Sequence, residues 1–264
     1  MSKYLTLFKI KISEEMSYRF DFWVNVLAKI LLILVYIAFW QAVFSQREVI
    51  GGFTLPLMIG YIILAQVMRE LTITNLDYDI TQDIKEGRIA NFLVKPWNYI
   101  NANLIRAASL STLRFFVYIF VFVLLTQFFV SQLWPIFKIA NILAFLIIIP
   151  FSAALMILFE TMIGLLAFWF TETFIIRHMF VKSINFFAGM YLPLTLFPHL
   201  FQKILNFLPF PYITFFPVSV FLGRVSAVEY WQGLGLAAGW VIVLYLLARW
   251  LWRRGVKRHE AVGI

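Results

Sequence analysis

The side chains able to do chemistry are few, and their spacing is poor for catalysis. Three acids, Asp77, Asp79 and Asp83, form the one acidic cluster, in a polar stretch between two apolar runs. A lipid-modifying enzyme would need such a cluster to act as an acid/base or metal constellation at a membrane edge. Acids at the start of a helix also arise simply because they suit its dipole. The histidines His178, His199 and His259 have no ligand partner at helical spacing, and the cysteine count is zero. Thiolate metal sites, disulfides and cysteine nucleophiles are therefore excluded together. No Gly-x-x-x-x-Gly-Lys-Ser/Thr phosphate loop occurs, so the chain has no backbone cradle for a nucleotide. Glu160, set in a long apolar run, stands out among the acids. A charge deep in lipid costs at least about 2.5–3.5 kcal/mol. It either lines a path or binds a cation, or it pairs with Arg114 or Arg106 inside the bundle.

The elements that must position these groups are set by composition. Of 264 residues, 62% are hydrophobic and 13% charged, with 30 Phe and 9 Trp. Ordinary soluble domains are about 45–50% apolar and about 25% charged. The surplus requires lipid as solvent and excludes a soluble enzyme or a disordered chain. At about 20 apolar residues per crossing, the chain has room for roughly six crossings and no soluble catalytic domain. The apolar runs place spans at 22–44, 53–71, 104–130, 139–170, 175–192 and 230–252, in a single domain covering 1–264.

Residues 1–20 lack a signal-peptide cleavage site. Leu5, Phe8, Ile12, Met16 and Phe20 form one stripe at spacings of three and four, with charges elsewhere. This predicts an amphipathic helix in the membrane interface. With the N-terminus inside, most Lys and Arg near span ends fall on the inner side, and only Arg47, Lys138, Lys203 and Arg224 fall outside. That distribution predicts cytoplasmic termini. Tryptophans agree, since Trp40, Trp134 and Trp231 mark outer ends and Trp23, Trp97, Trp169, Trp250 and Trp252 mark inner ones, with Trp240 alone in mid-span. The net charge of +9 is then topology, not affinity for nucleic acid.

Two connecting segments carry most of the functional information. The inner loop 77–96 sets Ile80, Ile84, Phe92 and Leu93 among charges, which predicts a short amphipathic helix interrupted at Gly87 and stopped before Pro96. Such a helix is either a spacer or a lever for a cytoplasmic partner. The segment 193–229 contains Pro193, Pro198, Pro209, Pro211 and Pro217, which argues against a continuous helix. Its apolar pattern from Leu200 to Leu208 is too short to span. A re-entrant element with its backbone satisfied inside protein is expected. Asn25, Gln66 and Gln127 can bridge helices or touch substrate, and Phe187 and Tyr191 can line a route or face lipid. Gly235 and Gly239 permit close helix approach.

Three stretches resemble the permease subunits of type-2 ATP-binding-cassette (ABC) transporters of the exporter-like class. These are Asp83-Ile-Lys-Glu-Gly87 with Leu93-Val-Lys-Pro96; Ala188-Gly189-Met-Tyr-Leu-Pro193 with Phe197-Pro198 and Leu208-Pro209-Phe210; and Trp250-Leu-Trp-Arg-Arg-Gly255-Val-Lys-Arg. The resemblance implies an all-α membrane protein with six spans, an interfacial N-terminal helix, a coupling helix between spans two and three, and a re-entrant hairpin before span six. It implies two permeases, identical or paralogous, above two cytoplasmic ATPases that bind ATP and magnesium. The location implied is the cytoplasmic membrane of a prokaryote. Ile84, Glu86, Gly87, Arg88 and Phe92 would face the ATPase, with Glu172 as a smaller second contact. The path would run between permeases near spans one, two and five, past Asn25, Gln66, Glu160, Phe187 and Tyr191. Gly235 and Gly239 would pack at the dimer seam. An ion-gradient transporter predicts an inverted repeat and several intramembrane acids; the sequence offers one such acid.

Overall fold

The computed structural model describes residues 19–89, 99–131, 138–170 and 173–263. The expected interfacial helix at 1–20 lies almost wholly outside them. The described residues form an α-helical bundle: α1 Arg19–Val43, α2 Leu55–Thr72, α3 Leu76–Lys85, α4 Tyr99–Phe129, α5 Ile139–Leu165, α6 Phe174–Phe187, α7 His199–Phe207, α8 Phe215–Phe221 and α9 Ala227–Gly263. A two-stranded antiparallel hairpin, β1 Val49–Ile50 and β2 Phe53–Thr54, joins α1 to α2.

Burial follows the apolar patterns in two different ways. Helix α1 turns Val26, Ile33, Ile37 and Trp40 inward and leaves Leu27, Leu31, Val35 and Phe39 exposed. A helix apolar all round with one buried stripe faces lipid on its other side. Helix α2 is covered on every side, with Met58 through Met68 all buried, so it is the axle of the bundle. Among the described residues, four stretches are long and apolar enough to cross a membrane: Trp23–Gln46, Leu55–Lys85, Ile139–Phe168 and Ala227–Arg258. Within α4, Val117–Phe129 is a shorter apolar helix.

One element differs from the sequence expectation. The run expected as a span at 175–192 is helical only over Phe174–Phe187, 14 residues or about 21 Å. That is short of the ~30 Å hydrocarbon core. The helix ends where Gly189 takes φ +80°. A Cβ there would come within 2.9 Å of the Tyr61 hydroxyl oxygen and 3.0 Å of Phe215 Cβ. Glycine therefore supplies both the turn and the room. Pro150 lies inside α5 without ending it.

The proline-rich segment is not one continuous helix. It breaks into the short helices α7 and α8 and two 3₁₀ turns, Leu194–Leu196 and Phe210–Tyr212. Its carbonyls, and that of Gly189 just before it, find donors on the long helices. Tyr61 donates to Gly189 O at 2.5 Å, Ser152 to Tyr212 O at 2.8 Å, and Trp240 Nε1 to Phe207 O at 2.9 Å. Broken backbone at membrane depth requires such internal partners.

Candidate functional site

The functional candidate is the junction where α2 stops and α3 begins. Helix α2 ends at Thr72, and Asn75 adopts a left-handed conformation at φ 55° before α3 starts. Stopping one helix and starting another leaves orphan carbonyls and N–H groups. Glu160 of α5, 1% exposed, meets the donors. Its carboxylate accepts from Thr74 N at 3.1 Å, Thr74 Oγ1 at 2.5 Å and Leu76 N at 3.0 Å. On the acceptor side, Arg114 Nη1 donates to Ile73 O at 2.7 Å.

This partner set was not foreseen. Glu160 serves as a remote cap on α3, with N–H and O–H donors around it. Arg114 supports the same junction, while Arg106 lies 3.7 Å from Asp79. The reason is physical: the first N–H groups of a helix form a partial positive pole that suits a carboxylate.

Helix α3 is tied down along its length. Arg177 of α6 donates to Asp77 at 2.6 Å in a nearly buried ion pair. Ile80 packs over Gly164 of α5, where an added Cβ would lie 2.8 Å from Ile80 Cβ and 2.9 Å from Asp77 O. Only a glycine lets the two helices come this close. Tyr99 at the start of α4 donates to Asp83 at 3.1 Å and stacks on Trp252 of α9 with centroids 4.3 Å apart. Leu76, Ile80, Ile84, Ile89 and Tyr99 form a separate apolar cluster with Leu165 and Phe168. The inner-loop helix thus contacts α4, α5 and α6 together.

Of the residues expected to meet a partner, Glu86, Gly87 and Arg88 are exposed, forming the turn that ends α3 with Gly87 at φ +69°. Arg88 is bonded to Asp83 and Glu86. The Asp83 bond raises the pKa of its guanidinium above the usual value. Ile84 is a correction: it is 5% exposed and faces the cluster, because its spacing of four from Ile80 puts it on the buried stripe. Phe92 and Glu172 lie outside the described residues.

The five expected path residues are not gathered into one lining. Asn25 is exposed on α1, Gln66 is buried in α2, and Phe187 and Tyr191 are half-buried around the end of α6. Gln66 keeps a buried Nε2 without a partner among the described residues. Glu160 lines a cleft of about 160 Å³ near the junction. Phe187 and Tyr191 do not line the larger cavity of about 440 Å³ at the proline-rich end, whose walls include Phe207, Tyr212, Phe216 and Arg224. Gly235 and Gly239 are exposed on α9 and meet no atom within 4 Å of an added Cβ. Among the described residues no group of His, Cys, Asp or Glu could hold a metal ion.

Sequence reasoning missed Thr74 and Asp77 as members of the junction. The αL residue Asn75 was the available signal, since Asn is enriched where a chain turns left-handed.

A helical bundle with several apolar helices long enough to cross a membrane, an interior carboxylate holding a loop helix, and a proline-broken segment tied to the long helices now has a counterpart among known families. The model of the ABC-2 family transporter proteins matches residues 30–263. The chain belongs to the ABC-2 transporter family. A search of curated proteins gives no match. As an ABC-2 family member it is a multi-pass membrane component of a transporter and works with an ABC ATPase subunit. The match spans both the junction and the proline-rich segment.

Proposed function

We propose that the chain is the permease subunit of an ABC exporter and that α3 is its coupling helix. Two permeases, identical or paralogous, would sit on two cytoplasmic ATPases in the cytoplasmic membrane of a prokaryote. Each would cross six times with both termini inside. The uneven placement of Lys and Arg supports this topology. Helices α4 and α6 would supply the crossings beyond the four long apolar stretches, with α6 extended by the residues that follow it.

The observation that carries the proposal is the contrast between the two ends of α3. Its start is bonded into α5 by Glu160 and into α6 by Asp77–Arg177, while its end presents the exposed Glu86–Gly87–Arg88 turn. ATP-driven closure of the ATPases would push this turn. Because α3 is short and held at three places, the push reaches α5 and α6 with little loss to bending. Movement of these helices would then open the path at the permease interface. ATP and magnesium act in the partner subunit, and this chain supplies shape and leverage.

The test is substrate- or lipid-stimulated ATPase activity of the assembled complex carrying Glu86→Gln together with Arg88→Gln. Surface charges of this kind contribute about 0–1 kcal/mol to stability, so assembly and Tm should hold while stimulation falls severalfold. Unchanged stimulation with unchanged assembly would overturn the coupling role.

A further inference from the structure

The cleft of about 160 Å³ between the end of α2, the start of α3 and α6 has walls that include Arg69, Arg177 and Lys182 together with Asp77 and Glu160. Its acids are already committed, Asp77 to Arg177 and Glu160 to Thr74 and Leu76. Its bases are not fully used. Arg69 gives Nη1 to Glu70 at 2.9 Å, yet its Nε is buried without a partner. Arg177 commits Nε to Asp77 out of the five N–H donors of a guanidinium. Lys182 is exposed and has no ion pair among the described residues. A concave site with surplus N–H donors and no free carboxylate suits an oxyanion.

The surroundings specify which oxyanion. Helix α6, which carries Arg177 and Lys182, also exposes Ile175 at 70%, Met179 at 66% and Phe180 at 52%. Basic side chains and bare apolar ones therefore alternate on a single short helix. A free anion would use the first set and leave the second bare. A phospholipid uses both, with its phosphate in the cleft and its acyl chains along Ile175, Met179 and Phe180. The volume is well below the ~300–1,000 Å³ typical of whole-ligand pockets, which fits a headgroup and not an entire cargo molecule.

We propose that this cleft binds the phosphate of an anionic phospholipid, beside the bonded end of α3. Bound there, the lipid would bridge α2 and α6 and strengthen the junction that α3 starts from. The site goes beyond the exporter reading and depends on neither cargo nor transport direction.

The experiment is native mass spectrometry of the full chain in detergent micelles, titrated with phosphatidylglycerol, phosphatidylcholine or inorganic phosphate. Phosphatidylglycerol should bind in preference to phosphatidylcholine. Lys182→Gln should weaken it about fivefold, the effect of one basic side chain at an anionic membrane surface, and Lys182→Glu should weaken it further. Lys203→Gln, on α7 and outside the cleft, should leave binding unchanged. Arg177→Gln should also weaken binding; if it lowers Tm through loss of Asp77, the two Lys182 variants decide alone. Equal binding of both lipids, an unaltered affinity in Lys182→Glu, or the same loss in Lys203→Gln overturns the proposal. Saturation by inorganic phosphate with no lipid preference assigns the cleft to a free anion and overturns it as well. ATPase coupling is read separately, so loss of the exporter reading would leave this result standing.

Discussion

The two ends of the bundle solve the same problem with different chemistry. At each, a helix is interrupted and backbone groups need partners away from water. At the α2–α3 junction the partners are ionisable side chains: Glu160 and Arg114 bond the backbone, beside the Asp77–Arg177 pair and Lys29, which reaches Glu70 at 3.1 Å. In the proline-rich segment they are neutral: the hydroxyls of Tyr61 and Ser152 and the indole of Trp240. Hydrogen bonds to charged groups are about twice as strong as neutral ones. The junction is therefore the more strongly bonded of the two ends. The proline-rich end is held by several weaker bonds and aromatic contacts, such as Phe187 with Phe210 at 6.0 Å, each separable on its own.

That contrast can be broken by substitution. Glu160→Ala should have the largest effect, because it strands three buried donors at about 1 kcal/mol or more each. A loss of about 3 kcal/mol is expected in thermal unfolding of the purified chain, with Glu160→Gln losing less. Gly164→Val comes next, at about 2 kcal/mol, since overpacking a filled contact costs about 1–3 kcal/mol. The same measurement should show the loss largely persisting when Ile80→Ala is added, because alanine keeps the Cβ 2.8 Å from the added carbon and the Asp77 carbonyl stays 2.9 Å away. Ser152→Ala removes one neutral bond to Tyr212 O and should cost about 1 kcal/mol. Trp240→Phe, which keeps the ring and loses the N–H, should cost about 0.5 kcal/mol at its partly exposed position. A Ser152→Ala loss equal to that of Glu160→Ala would remove the distinction between a strongly bonded end and a separable one. Hydrogen exchange would sharpen it, with α3 amides protected longer than those of α7.

The legibility of these two ends in the sequence was uneven. The proline-rich break was plain, because five prolines forbid a continuous helix wherever the chain folds. The turn at Gly87 was plain for a similar local reason. The inner-loop helix α3 appeared as a mixed stripe, but its buried side was misjudged at Ile84, since periodicity separates the faces without saying what covers each one. The end of α6 was hidden, because 175–192 stays apolar past the point where the helix stops at Phe187.

What the sequence alone determined is what local chemistry and composition control: lipid as the solvent, the approximate helical runs, the breaks at proline and glycine, and an order of parts that belongs to one family. Tertiary structure decided the task of Glu160. Its partners Thr74 and Leu76 lie 86 and 84 residues away, and the bonds exist because α5 passes beside the interrupted α2. Whether a buried acid faces a path or caps a helix depends on which orphan groups the fold brings within about 3 Å. Hydropathy has no term for that distance, so only the packed bundle could assign the residue.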